Sequence, residues 1–214
     1  NYTKITDSNG IATLNVNIKY FGTYTFKVRF SGNSKYYSSN NTNKIQIATY
    51  IFSDEEIYAA SRTIRQYVEK NHKLPSTVTI RSHKLNMTQY LAVASELICN
   101  PDQKVAPLIK DTYQNAPSPS ENTSGGILNS TEYTNIFNKI HNFIYENNRA
   151  PNYDESSLGK VSINSYVYLA SCILDSKSVI TNNPYFVTII PWKHVTNSST
   201  KFFSQYDVLD AASK

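Results

Sequence analysis

Cys99 and Cys172, with His72, His83, His141 and His194, are all the thiols and imidazoles of this 214-residue chain, and the residues that could do nucleophilic or metal chemistry. A cysteine nucleophile needs a neighbouring imidazole or a positive field to become thiolate at neutral pH. Both cysteines instead fall at or near the ends of apolar helical patterns, where burial raises the thiol pKa. Two buried thiols is the commoner reading for so few cysteines, and a single disulfide is the other. No pair of His or Cys has the short spacing of a metal site, so neither metal nor cofactor is expected, and neither is enzymatic activity.

The remaining candidates are recognition residues. Lys84 and Lys160 fall at the start of apolar helical patterns, where the helix dipole does not favour a cation, so they either pair with a carboxylate or are solvated. Trp192, the only tryptophan, either stacks on a ligand face or closes a small core. Tyr90 and Tyr166 lie on apolar helical faces and read first as core, second as stacking residues. Tyr153 follows Pro151 closely and joins the candidate set.

These residues sit on a period-3.6 pattern that begins at Ser53. Ile57, Ala60, Ser61, Ile64, Tyr67 and Val68 share one helical face, and Ser53 with Glu56 makes a capping box. Asn71 reads as the left-handed C-cap, with Pro75 preventing continuation. An extended piece, PSTVTI, precedes a second helix whose inner face carries Met87, Tyr90, Leu91, Ala94, Leu97 and Ile98. The unit predicted is helix, strand, helix.

The unit recurs without a gap at a constant displacement (140 − 64 = 76). Asn71, Pro75, Lys84, Tyr90 and Ala94 reappear as Asn147, Pro151, Lys160, Tyr166 and Ala170, while Tyr67, Val68 and Leu97 are replaced in kind by Phe143, Ile144 and Ile173. Two helical faces matching in register mark an internal repeat. Asp154 and Glu155 stand where Val78 and Thr79 stood, so the second strand is expected to be weaker. After the second unit, PYFVTI echoes PSTVTI and suggests an added strand. The closing DVLDAASK repeats Ala59, Ala60 and Ser61 at twice the displacement, and is expected to be the start of a third unit continuing past Lys214.

Residues 1–50 alternate instead. Leu14, Val16 and Ile18, then Tyr24, Phe26, Val28 and Phe30, then Ile45 and Ile47, predict three antiparallel strands. The fold class expected is α+β. Its parts are a partial immunoglobulin-like β module (1–50), a first repeat (51–114), a linker (115–128), a second repeat with an added strand (129–195), and a linker with the start of a third repeat (196–214).

Bulk properties narrow the partners. An apolar content of 40% without a long apolar run leaves no membrane insertion in this chain. Lys and Arg less Asp and Glu give +5 over residues 1–52, +2 over 53–110 and −2 over 111–214. No compact basic cluster results, so nucleic acid is not an expected partner. Glycosylation-type triplets at Asn1, Asn40, Asn86, Asn122, Asn129 and Asn197, with sparse cysteine, favour an external location.

The pattern AASRTIRQYVEKNHKLPSTVTI with MTQYLAVAS, repeated as IHNFIYENNRAPNY with SINSYVYLAS and followed by PYFVTIIPW, resembles the pseudomurein-binding repeat of methanogen surface proteins. DSNGIATLNV with GTYTFKVRFSGNSKYYSS resembles the closing half of immunoglobulin-like repeats in prokaryotic adhesins. The resemblance implies noncovalent binding of pseudomurein, a peptide-crosslinked glycan with an acidic sugar, by an adhesin-like protein at the cell surface. Two other roles fit the same repeats: a structural stalk that binds nothing, or the wall-targeting segment of a pseudomurein-cleaving cysteine peptidase. The truncated β module is expected to self-associate through its open edges.

Overall fold

The computed structural model describes residues 2–16, 18, 22–178, 182–199 and 202. The chain forms two compact units, Asn1–Ala48 and Thr49–Lys214. Its class is α+β, helices with small antiparallel two-stranded sheets. The DVLDAASK tract, residues 207–214, lies outside the described residues.

In the first unit, β1 (Gly22–Phe30) pairs antiparallel with β2 (Ser39–Ile47), placing Tyr24 opposite Ile45 and Phe26 opposite Asn43. The expected strand through Leu14, Val16 and Ile18 is not formed among the described residues, where Leu14 and Val16 stay exposed. Alternation stabilises a strand only where a sheet receives its apolar side, and β1 and β2 alone leave Val28 and Phe30 exposed too. The DSNG tract does turn: the Asp7 carboxylate accepts from the backbone N–H of Asn9 and of Ile11.

The second unit opens with β3 (Tyr50–Ser53) and α1 (Asp54–Asn71). The Ser53 capping box with Glu56 forms as the sequence requires. The left-handed residue ending α1 is His72 (φ 54°), one place beyond Asn71. Asn71 is the last helical residue, and its side-chain amide donates to the Tyr67 carbonyl at 2.8 Å, satisfying an otherwise open group of the final turn. Asn147 and Asn148 repeat this division of labour, with φ 58° at Asn148 and a 2.9 Å bond from Asn147 to the Phe143 carbonyl.

PSTVTI enters not a lone strand but a hairpin, β4 (Thr77–Ile80) with β5 (His83–Asn86), before α2 (Met87–Cys99). Its tight connection carries Arg81 at φ 54° rather than an Asn-Gly or Asp-Gly pair, so the usual hairpin signal is missing. After α2 the chain returns as β6 (Val105–Leu108) and pairs with β3, burying Phe52, Ala106 and Leu108.

The next copy repeats every element: β7 (Gly126–Asn129), α3 (Ser130–Asn147), β8 (Tyr153–Ser156), β9 (Gly159–Ser162), α4 (Ile163–Ser176) and β10 (Phe186–Ile189), followed by the short α5 (Trp192–Val195). β8 forms over the residues equivalent to β4 despite Asp154, which is half-buried and whose carboxyl burial pushes up. β10 is not an addition. It pairs with β7 as β6 pairs with β3, displaced by 81 rather than 76 residues (187 − 106), because the loop before it is longer. The likeness of PYFVTI to PSTVTI therefore joins strands with different partners.

The helices decide the packing. Ile57, Ala60, Ser61, Ile64 and Val68 are buried on α1, and Tyr133, Ile136, Phe137, Ile140 and Ile144 in the same register on α3. Fully burying each large apolar chain is worth about 1.5–3 kcal/mol. Yet α1 packs chiefly on α4, and α3 on α2, with α2 and α4 touching between them. Each repeat thus covers its partner's core, and the two are related by an internal twofold exchange.

The tract 115–128, expected as a linker, runs at its end into β7 and before that has no long element but is fastened along this unit. Thr123 is buried, Asn122 and Thr123 donate backbone N–H groups to the Lys160 carbonyl, and Ser118 N–H bonds the Asn152 side chain.

Candidate functional site

The left-handed turn at His72 sends Lys73–Ser76 back over the start of α2, and Pro75 keeps this segment extended. The turn at Asn148 does the same for Arg149–Asn152 over α4. Between them lies a groove of about 330 Å3. Its floor is built from residues of the first two turns of both helices, pairing Met87 with Ile163, Thr88 with Asn164 and Leu91 with Val167 across the twofold exchange. Leu74 and Ala150 form a further pair, and Asn115 and Thr196, eight residues past Pro107 and Thr188 of the closing strands, another.

Trp192 closes one side. It begins α5, whose first N–H groups have no helical acceptor. Glu121 supplies both: one carboxylate oxygen accepts from Trp192 N–H at 2.8 Å and the other from Lys193 N–H at 2.9 Å. The His72 ring bonds the Val195 carbonyl at 3.0 Å, tying α5 to the end of α1. Inside the groove Thr88 Oγ1 donates to Asn115 Oδ1 at 3.0 Å. The half-buried Asn164 amide makes no side-chain bond to a described residue, and Lys73 is the only charged group among the described residues of the lining.

Of the recognition candidates Lys84, Lys160, Trp192, Tyr153, Tyr90 and Tyr166, only Trp192 lines this groove. Tyr90 and Tyr166 are fully buried and offer no ring face to a ligand, which removes them as stacking residues. Their periodicity had core as its first meaning, and packing makes it the actual one. Lys84 and Lys160 lie on the second hairpin strands, ahead of the N-caps Asn86 and Ser162, not at the helix starts. Lys84 is exposed, whereas Lys160 Nζ sits 4.0 Å from the centre of the Tyr153 ring and opposite Glu155. Tyr153 and Lys160 are thus brought together as a cation-π pair on the hairpin.

The cysteines are free. Cys99 donates to the Thr134 carbonyl at 3.6 Å, and burial pushes both thiols up to about 12. His141 meets Glu96 at 3.1 Å, holding that carboxyl below its usual range, while the His83 ring packs 3.8 Å from that of Tyr50. Among the described residues no group of three His, Cys, Asp or Glu could hold a metal ion. None of their helices is long and apolar enough to cross a membrane. Three glycosylation-type asparagines have structural work: Asn86 and Asn129 are N-caps, and Asn122 Oδ1 accepts from Lys160 N–H.

No local pattern marks Lys73, Thr88, Asn115, Asn164 or Thr196 as groove residues. Only the constant displacement could have paired Thr88 with Asn164, and nothing local could have added Asn115, Glu121 or α5.

The family model of the pseudomurein-binding repeat matches residues 48–80. That segment spans β3, α1 and β4, and β7, α3 and β8 reproduce it element for element 76 residues later. No curated protein matches the chain.

Proposed function

We propose that this chain binds the pseudomurein cell wall noncovalently and so holds an adhesin-like protein at the outside of a methanogen cell. The observation that carries the reading is the match of the pseudomurein-binding repeat across β3, α1 and β4. The structural copy at 126–156 supports it, since a second matching framework extends the surface offered to a polymeric wall. The first unit serves in this reading as the end of an immunoglobulin-like module, and its exposed Val28, Phe30 and Ile45 suit pairing with a second copy. Binding is favoured over catalysis because both thiols are partly buried and pushed up to about 12, far from the thiolate a cysteine nucleophile requires.

Co-sedimentation of the purified chain with isolated pseudomurein sacculi, beside bacterial murein, tests the reading. Selective pelleting with pseudomurein is expected. Equal pelleting with both walls, or none with either, rejects it.

A further inference from the structure

We infer that the two repeats build one shared binding site, the groove on their internal twofold, and that its occupant is an extended peptide with short aliphatic side chains and a free carboxylate. This deepens the wall-binding reading and rests on it for the biological source of the peptide.

The number of sites follows from the packing. Because α1 lies on α4 and α3 on α2, the first turns of α2 and α4 come together, and five equivalent pairs of residues face the same groove. A site belonging to a single repeat would present only one member of each pair. Neither repeat has a groove of its own at this place, since each wall is the other repeat.

The ligand class follows from the lining. Its floor and sides are aliphatic or proline side chains, including Met87, Leu91, Ile163 and Val167, with one tryptophan at the edge. Sugar rings are gripped best by flat aromatic faces, whereas dispersed methyl and methylene groups suit small aliphatic side chains. The polar groups are neutral amides and hydroxyls. Among the described residues nothing pairs with the Asn164 amide, and Asn115 uses only its oxygen, on Thr88, leaving its N–H2 as donor. An amide offers a donor and an acceptor side by side, matching the alternating groups of an extended backbone. Among the described residues of the lining Lys73 is the one charge and there is no carboxylate, so their electrostatic complement is an anion.

The full chain, labelled for NMR, should be titrated with tetra-alanine, with tetra-alanine amide and with chitotriose, while Trp192 emission is followed. Tetra-alanine is expected to bind with one peptide per chain, shifting resonances of Leu91 and Val167 together and moving Trp192 emission. The amide should bind about tenfold more weakly, a difference that Lys73→Gln removes and Lys84→Gln leaves intact. Asn164→Arg and the exposed Thr196→Arg, each checked for native helicity, should block the peptide and reduce pelleting with sacculi. Two peptides per chain, a groove response to chitotriose but not to peptide, or no response to peptide overturns the inference. If sacculi still pellet a chain whose groove ignores peptide, wall binding stands and the groove assignment falls. If peptide binds without pelleting, the groove stands and the wall reading falls.

Discussion

Arg65 Nη1 lies 2.9 Å from Asp175 Oδ2, joining the first helix of one repeat to the second helix of the other. At the position equivalent to Arg65 stands His141, which meets Glu96 of the opposite repeat at 3.1 Å. The twofold exchange thus has a nitrogen-to-carboxylate contact in each half, a guanidinium in one and an imidazole in the other. Asp175 is buried and also accepts from Arg62 Nε at 2.9 Å.

Asp175→Asn is therefore expected to destabilise the second unit by roughly 1–3 kcal/mol, because it leaves Arg65 partly buried beside a neutral group. Arg62→Gln should cost far less, since that side chain is half exposed and its pair is screened by water. Urea denaturation of both variants checks this, and equal losses would count against a buried cross-repeat contact.

Tyr90 and Tyr166 occupy equivalent core positions with different partners. Tyr90 Oη lies 2.8 Å from Ser61 Oγ, which itself donates to the Ile57 carbonyl. In the second repeat Phe137 replaces Ser61, packing edge-on against the Tyr166 ring at 6.0 Å, and the buried Tyr166 hydroxyl near Ser156 makes no standard hydrogen bond. Tyr90→Phe should cost about 1 kcal/mol, while Tyr166→Phe should be close to neutral or stabilising. Thermal melting of the two variants separates them.

Glu96 gives the second unit a pH dependence. The His141 ring nitrogen 3.1 Å away lowers its carboxyl pKa below the ordinary 4.5 against the opposing effect of burial. A depressed carboxylate contributes stability that is fully present above the unfolded pKa and is lost as pH falls through the folded value. Melting temperature should therefore drop below about pH 4.5 in the native chain, with a shallower slope there for Glu96→Gln. An unchanged slope in the variant would exclude this pair as a source.

Trp192 is its own reporter. Removing the Glu121 carboxylate frees the first two N–H groups of α5, which has no other cap on those donors. Glu121→Ala should shift tryptophan emission to longer wavelength and weaken sacculus binding, while far-ultraviolet dichroism stays nearly unchanged. Emission identical to the native chain would show that the loop holds α5 without this carboxylate.

Local chemistry determined the helices of the second unit. The capping box at Ser53 and the buried stripes from Ile57 to Val68 and from Tyr133 to Ile144 follow from spacing and side-chain type, which act within a few turns of chain. The displacement of 76 residues likewise marks the repeat within the sequence itself, and β4 and β8 fall at equivalent places within it. What the sequence could not contain is which helix covers which. An apolar stripe specifies that it must be buried but not against what, and the burial free energy of α1 is much the same on α2 or on α4. Tertiary packing chose the exchanged arrangement, and with it turned Thr88, Asn164, Asn115 and Thr196 from unremarked polar residues into the walls of one groove. It also fixed Glu121 beneath Trp192 across 71 positions, a pairing that charge and geometry impose only once the chain has closed.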